Sequence, residues 1–523
     1  MAFFYLIWHL NVDKSAKTLI FFSIWHLNIE NFTIFAANKR TENMEKREHI
    51  IGRKDEIARL KKYAQSTQAE FVAVYGRRRV GKTFLVNYVF GGNFAFSMTG
   101  IIDGGKESQM HAFVEAMDQY NNVINTPKDW FEAFRLLRHF LSKKIDNNKP
   151  CIVFIDELPC FDTRKSNFVE ALGHFWNSWA SLQPNLKLIV CGSATSWMMD
   201  NVIDSHGGLH NRITHEIHLR EFTLAEVEVF LRYKGCKWNR DLVLQSYMVM
   251  GGIPYYLGLM DNELSLAQNI DKLCFDYDGE MRREFHRLYK TLFASPEPYI
   301  SIVETLFKKK KGLTRTEIAK NIGVNSNGRL TILLRNLVDC DIVKFYPTKH
   351  LKISSRNGLY QLMDFFSLFY LHFMKAEIND PHFWTKNMRT PKISTWLGLT
   401  FEKVCMAHIE QIKHALRIDE ISTIYYSWRS SQSSTSRRAQ IDLVIERADK
   451  MINICEAKYS DVSYTLDKEE YDKFINRVAA YKSETKFNGG VIPTFITSGD
   501  MTRNSYYDIL GVKHISIDDL FCF

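Results

Sequence analysis

The sequence predicts a multidomain α/β chain, with a parallel sheet in its first half, a mostly helical stretch, a winged helix and a second α/β domain at the C-terminal end. Three observations predict it. The apolar, β-branched run Phe71–Tyr75 leads into G-x-x-x-x-G-K-T at Gly76–Thr83 and then into the helix-competent FLVNYVF, a strand, phosphate loop and helix in succession. Cys151–Ile155 is a continuous apolar run of strand length, the pattern of a strand covered on both faces, and Leu186–Cys191 reads as a third strand, apolar but for Lys187. Near the other end, Asp442 and the alternating strand containing Glu456 and Lys458 place charged groups on neighbouring strands.

The chain has 523 residues, which argues for about three domains. It is 46% hydrophobic and 24% charged, an ordinary globular balance. A formal net charge of +9 permits a nucleic-acid partner without requiring one. Nine cysteines with no C-x-x-C pair favour free thiols in a reducing, cytoplasmic setting over a disulfide framework or a zinc site.

The first 43 residues read differently from the rest. FFYLIWHLN (Phe3–Asn11) is nearly repeated as FFSIWHLN (Phe21–Asn28), and neither run has the length of a membrane span. The segment also fits a signal peptide poorly. The expected reading is a non-native or disordered extension over residues 1–43, with translation starting at Met44. The alternative is a hydrophobic arm for a membrane surface or a partner; no stable membrane association is expected otherwise. The remaining boundaries are expected at 44–220 for the phosphate-loop core, 221–295 for a helical segment, 296–362 for the winged helix, 363–395 for linking helices and 396–523 for the last domain.

In the phosphate loop each residue has a task. Gly76 and Gly81 permit the tight turn, and the backbone N–H groups of Arg77, Arg78, Arg79 and Val80 converge with the helix N-terminus on one anion. Lys82 can reach the β- and γ-phosphates of a bound nucleotide, and Thr83 can ligate Mg²⁺. Ahead of the loop, Ile57, Leu60 and Tyr63 have amphipathic-helix spacing. Behind it, Trp130, Phe131, Phe134, Leu137 and Phe140 are expected to share one buried helix face. Asp156 and Glu157 close the second apolar strand at the carboxyl edge of a parallel sheet, where Asp156 can hold the Mg²⁺ shell and Glu157 can orient or deprotonate a water. Ser193, ending the next strand, either senses the γ-phosphate or its water or simply forms a turn.

The segments IIGRKDEIARL, YGRRRVGKT, CIVFIDELP, LIVCGSATSWM and GGIPYYL, over roughly Ile51 to Leu257, resemble the ATPases of the AAA+ superfamily often called archaeal-type ATPases. The resemblance implies ATP hydrolysis with Mg²⁺, a helical lid over 221–295, and an assembly that admits a homo-oligomer. LHNR at Leu209–Arg212 matches the family's arginine motif, with Asn211 where glycine is usual. Arg212 is then the implied cation for the γ-phosphate, with Arg220 the weaker candidate and a plain surface arginine the alternative. Pro254 of GGIPYYL would lie near the nucleotide base, although by chemistry alone it is a turn before a helix.

Thr223 with Glu226 reads as a capping box opening the lid. Further on, Thr314 caps a helix through Ile322, Gly323 turns, Gly328–Leu337 forms a second helix, and two strand-like runs follow as a wing. Arg329, Arg335 and the run Lys308–Lys311 are candidate phosphate contacts for DNA; protein docking is the alternative use. YQLMDFFSLFYLHFM, interrupted by Asp364 and His372, reads as a buried linking helix. In the last domain Asp442 and Glu456 could bind Mg²⁺, Glu402 could complete the shell, and Lys458 could stabilise phosphate charge. Relatives of these ATPases often carry a C-terminal restriction-endonuclease-like domain with this pattern, matched here at Gly398, Phe401, Glu402, Asp442, Glu456 and Lys458. A salt-bridged structural face is the alternative. Two functions stay open: an ATP-driven, DNA-directed enzyme that gates a nuclease, and a nucleotide-dependent switch that binds nucleic acid or a partner without cutting.

Overall fold

The computed structural model describes residues 50–146, 149–204, 209, 211–309, 312–347, 358–376, 378–430 and 439–522. The chain divides into two compact units, 1–51 and 52–523; only Ile50 and Ile51 of the first are described. The expected extension over 1–43, Met44, His210, Lys310, Lys311 and the tip of the expected wing lie outside the described residues.

The second unit opens with helix α1 (Lys54–Ala64) and a parallel sheet of β1 (Glu70–Tyr75), β2 (Phe96–Thr99), β3 (Cys151–Asp156), β4 (Leu186–Gly192) and β5 (His215–His218), in the order β2-β3-β4-β1-β5. Every residue of β1, β3 and β4 is buried, which is why their sequences do not alternate. Because β1, β4 and β3 run parallel, the loop after β1 and the carboxylates at the end of β3 lie at the same edge of the sheet. Helices α2 (Lys82–Phe90), α3 (Lys106–Asp118), α4 (Trp130–Ser142) and α5 (Phe168–Ser178) follow the strands. Trp130 fills the centre of the core, edge-on to Phe113, Phe161 and Phe168. Phe131 departs from the expected core face: it is 44% exposed, one position round α4 from the buried stripe of Trp130, Phe134 and Leu137.

A helical stretch comes next, which includes α6 (Leu224–Tyr233), α7 (Arg240–Met250), α8 (Pro254–Gly258) and α9 (Glu284–Leu292). Thr223 and Glu226 form the reciprocal capping box at the start of α6. Helices α10 (Glu297–Lys308), α11 (Arg315–Ile322) and α12 (Gly328–Asp339) lead to the antiparallel pair β6 (Val343–Pro347) and β7 (Gly358–Leu362). Thr314 caps α11, and Gly323 ends it in the left-handed region. Asp364 then caps α13 (Phe365–Phe369), accepting the Ser367 N–H at 2.8 Å.

The C-terminal sheet has the order β14-β12-β10-β9-β8, built from β8 (Thr423–Arg429), β9 (Gln440–Arg447), β10 (Met451–Lys458), β12 (Gly490–Thr497) and β14 (Lys513–Ile515). The first three strands pair antiparallel and the last three parallel. Helix α14 (Pro391–Ala407) leads into the sheet, and α15 (Lys468–Thr485) provides the crossover between β10 and β12; β11 (Tyr464–Thr465) and β13 (Met501–Thr502) make a short parallel pair beside them. His408, just past α14, ties this domain to the helical region: its Nε2 accepts the Leu224 N–H at 3.0 Å, and its Nδ1 faces the Val404 carbonyl at 3.0 Å. Among the described residues no helix is long and apolar enough to cross a membrane.

Candidate functional site

The phosphate loop is held by close backbone approach at its first residue. Gly76 has φ 142, and a Cβ there would sit 2.3 Å from the Leu219 carbonyl oxygen. Gly81, at φ 96, turns the chain into α2. Arg79 between them also lies in the left-handed region, at φ 71. Strain of this kind in a non-glycine residue persists where the surroundings over-determine it, as they do at ligand sites.

Lys82 is buried at the start of α2, and its Nζ donates to the carbonyl oxygens of Gly76 at 2.9 Å and Arg77 at 3.0 Å. Burial pulls its ammonium below the ordinary value, and the Glu157 charge opposes that shift. An anion above the loop would favour the charged form. Thr83 Oγ1 donates to Asp156 Oδ2 at 2.7 Å, so hydroxyl and carboxylate already share one point. Burial pushes the Asp156 carboxyl up, against the pull of the Thr83 hydroxyl. Both groups are hard oxygen donors, and together they fit Mg²⁺ held between protein and phosphates.

Glu157 follows with φ 49, a left-handed turn that swings its side chain across the sheet edge. Ser193 Oγ, at the end of β4, donates to Glu157 Oε2 at 2.7 Å. The structure thus brings Lys82, Thr83, Asp156, Glu157 and Ser193 together. The Ser193 hydroxyl therefore holds one oxygen of the Glu157 carboxylate.

The arginines of the loop go elsewhere. Arg77 forms a buried ion pair with Asp364, Arg78 donates to the Thr291 hydroxyl, and Arg79 pairs with Glu284 at 2.5 Å while lying 4.2 Å over the Tyr255 ring. Their contribution to an anion site, like that of Val80, is therefore through backbone N–H groups. Pro254 begins α8 immediately before Tyr255. Arg212 and Arg220 are both exposed, and the Arg220 carbonyl accepts from Arg53 at 2.6 Å. Asn211 has φ 53, so the position uses the left-handed backbone that glycine favours and asparagine tolerates. Asp364, Glu284 and Thr291 escaped sequence reasoning. The only local signal was Asp364 interrupting an apolar run.

In the C-terminal sheet, the Asp442 and Glu456 carboxylates face one another across β9 and β10, and Asp442 Oδ2 accepts the Ala457 N–H at 3.1 Å. Glu456 is almost fully buried and pairs with Lys458 at 3.0 Å and with Arg477 of α15 at 2.8 Å; Lys458 also reaches Glu470 at 3.0 Å. Burial, together with the Asp442 charge, pushes the Glu456 carboxyl up. Glu402 on α14 lies near the buried Cys405, whose thiol is raised by burial and then by Asp442 and Glu402. Among the described residues, no three His, Cys, Asp or Glu side chains are gathered closely enough to form a metal site. In the segment 296–362, expected above to be a winged helix, Arg335 pairs with Asp200 at 2.9 Å, while Arg329, Lys308 and Lys309 are exposed.

Residues 50–260 match the family of ATPase domains found predominantly in Archaea. An uncharacterized protein of Methanocaldococcus jannaschii is 23% identical over 461 residues, 84% of this chain and 97% of that protein. Among solved structures, the Walker-type ATPase of Pyrococcus abyssi is 18% identical, with 62% of this chain and 97% of that chain covered at a TM-score of 0.44. The ORC2 protein of Aeropyrum pernix is 13% identical, with 64% and 98% covered at a TM-score of 0.38. The family match and the arrangement of Lys82, Thr83, Asp156 and Glu157 agree on a P-loop ATPase domain within residues 50–260.

Proposed function

We propose that this chain hydrolyses ATP at the Gly76–Thr83 loop and uses the nucleotide state to control a DNA-directed C-terminal domain. The observation that carries the first part is the chain of contacts from Thr83 to Asp156 and from Ser193 to Glu157. Glu157 is placed to orient and accept a proton from an attacking water, with Ser193 holding its carboxylate in place. Lys82 and the loop N–H groups offset the charge developing on the phosphates. Thr83 and Asp156 would hold Mg²⁺, which when bound neutralises phosphate charge. Arg212 is the proposed additional cation, from this chain or a second copy.

The second part rests on chemistry in the last domain. Asp442, Glu456 and Lys458 share one sheet face, the arrangement in which two carboxylates could hold Mg²⁺ and a lysine could stabilise a phosphodiester. A winged helix over 296–362, with Arg329 and the exposed lysines at its surface, would supply backbone contacts to DNA. The switch reading draws on a specific observation too: Glu456 is held by both Lys458 and Arg477, cations that compete with a metal for it.

One experiment separates the readings. Plasmid and single-stranded DNA are incubated with Mg²⁺, with and without ATP, using the unaltered protein, Lys82→Ala and Asp442→Ala. Cleavage lost in Asp442→Ala and altered in Lys82→Ala supports the coupled nuclease. ATP turnover that depends on Lys82, with all DNA left intact, supports the switch.

A further inference from the structure

The three arginines of the phosphate loop tie it to parts of the chain outside the α/β core, and the innermost of them does so in a way packing alone does not explain. Arg77 and Asp364 have side-chain exposures of 5% and 2%. Asp364 divides its oxygens, Oδ1 to the Arg77 guanidinium and Oδ2 to the Ser367 N–H at the start of α13. Nε and Nη2 of Arg77 are buried without a hydrogen-bond partner. A buried ion pair with incomplete hydrogen bonding is a poor source of stability, because apolar side chains of the same volume would do as well or better. What it does supply is position, since a guanidinium that leaves the carboxylate it is paired with strands a charge in the interior.

That position matters because of where Arg77 sits. It is the residue after Gly76, and its own carbonyl oxygen accepts from Lys82 Nζ at 3.0 Å. Moving the Arg77 side chain therefore moves the backbone against which Lys82 is held. The neighbouring tethers run in parallel: Arg78 to Thr291 and Arg79 to Glu284, which Tyr256 also contacts through its hydroxyl at 2.8 Å. All three partners lie beyond the 50–260 match, and of them Asp364 alone follows β7.

We propose that Asp364 is a positioning residue of the ATPase site, setting the path of Gly76–Thr83 through Arg77, so that the loop is competent only when the segment following β7 is docked on it. The proposal rests on the reading of Gly76–Thr83 as the ATP phosphate site. It makes the winged-helix segment and α13 part of the machinery that decides whether ATP is turned over.

The test uses the full chain and two readouts, steady-state ATP hydrolysis and binding of a fluorescent ATP analogue. Asp364→Asn keeps the volume and an oxygen for the Ser367 N–H, so the helix cap survives while the charge is removed. Its kcat is expected to fall about tenfold or more, with KM changed much less, because a misplaced loop costs the oriented transition state. Adding Arg77→Gln to Asp364→Asn should lower kcat no further, since both act through one pair. Ser367→Ala, which removes only the Ser367 contact with the Tyr289 hydroxyl at 3.2 Å, should keep kcat within about twofold. If Asp364→Asn fails to fold, the double variant Arg77→Met with Asp364→Leu replaces the pair by apolar volume and is expected to fold, again with kcat down about tenfold. An unchanged kcat in either variant overturns the proposal. So does a loss in Ser367→Ala equal to that in Asp364→Asn at the same lowering of Tm, which would mark the pair as packing only. Analogue binding by Lys82→Ala as tight as by the unaltered protein removes the phosphate-site reading, and the positioning role falls with it.

Discussion

Acidification from pH 7 to pH 5 should loosen the tie between α6 and α14, and His408 is the group responsible. Its Nε2 accepts the Leu224 N–H, which requires that nitrogen to carry no proton; the neutral ring then donates from Nδ1 to the Val404 carbonyl. Burial pulls the imidazole down from 6.5 to about 4. The folded protein therefore binds fewer protons here than the unfolded chain does between those two values. The sign follows: the contribution is fully present above about 6.5 and is lost as pH falls toward about 4. The full difference corresponds to about 3 kcal/mol, of which about 2 kcal/mol should be gone at pH 5. Urea midpoints at pH 7 and pH 5, with amide exchange at Leu224 as the local probe, read this directly. His408→Gln keeps an acceptor and cannot titrate, so its stability should change less over the same interval by about that amount. If the unaltered protein and His408→Gln lose the same stability, the buried neutral imidazole is not the cause.

Glu221 should act in the opposite direction. Burial raises its carboxyl from 4.5 to about 7, against the Arg77 charge, so its contribution is present below the ordinary carboxylate range and lost as pH rises through about 7. Glu221→Gln should therefore be about 3 kcal/mol more stable than the unaltered protein at pH 8, and only about 1 kcal/mol more stable at pH 5, by urea titration. Glu157→Gln should bind ATP normally and hydrolyse it about 10²-fold or more slowly, seen as retained nucleotide in a filter assay with little phosphate release. Ser193→Ala should lower kcat by less, because it frees the Glu157 rotamer without removing the carboxylate. Gly76→Ala should abolish nucleotide binding, since its Cβ would meet the Leu219 backbone.

The residues that announce themselves in the sequence are those whose chemistry needs a short, contiguous pattern. The phosphate loop, the strand ending at Asp156 and Glu157, and the caps at Thr223 and Thr314 are such patterns, and the structure has the corresponding elements at those places. β5 was not legible. HEIH is short and polar at three of its four positions, and becomes a strand because β1 offers it an edge. The partners of the loop arginines were not legible either. Nothing local to GRRRVGK says that Arg77 turns inward to Asp364 and Arg79 to Glu284, because those carboxylates arrive through tertiary packing from distant helices. The aromatic face of α4 was read one residue too wide: Phe131 shares the composition of the core stripe but not its angle.

The placement of β1 between β4 and β5 also bears on how the chain leaves the ribosome. Its six residues are all buried in the finished sheet, and neither flanking strand has yet been made when it emerges. The bonds that close its outer edge include Thr214 to Phe71, 143 residues apart. At a synthesis rate of about 5–20 residues per second, a sticky, unpaired strand waits on the order of ten seconds for its neighbours. Such a nascent segment is a natural client for a holding chaperone, and expression at lowered temperature, where apolar association weakens, should raise the soluble yield of the full chain.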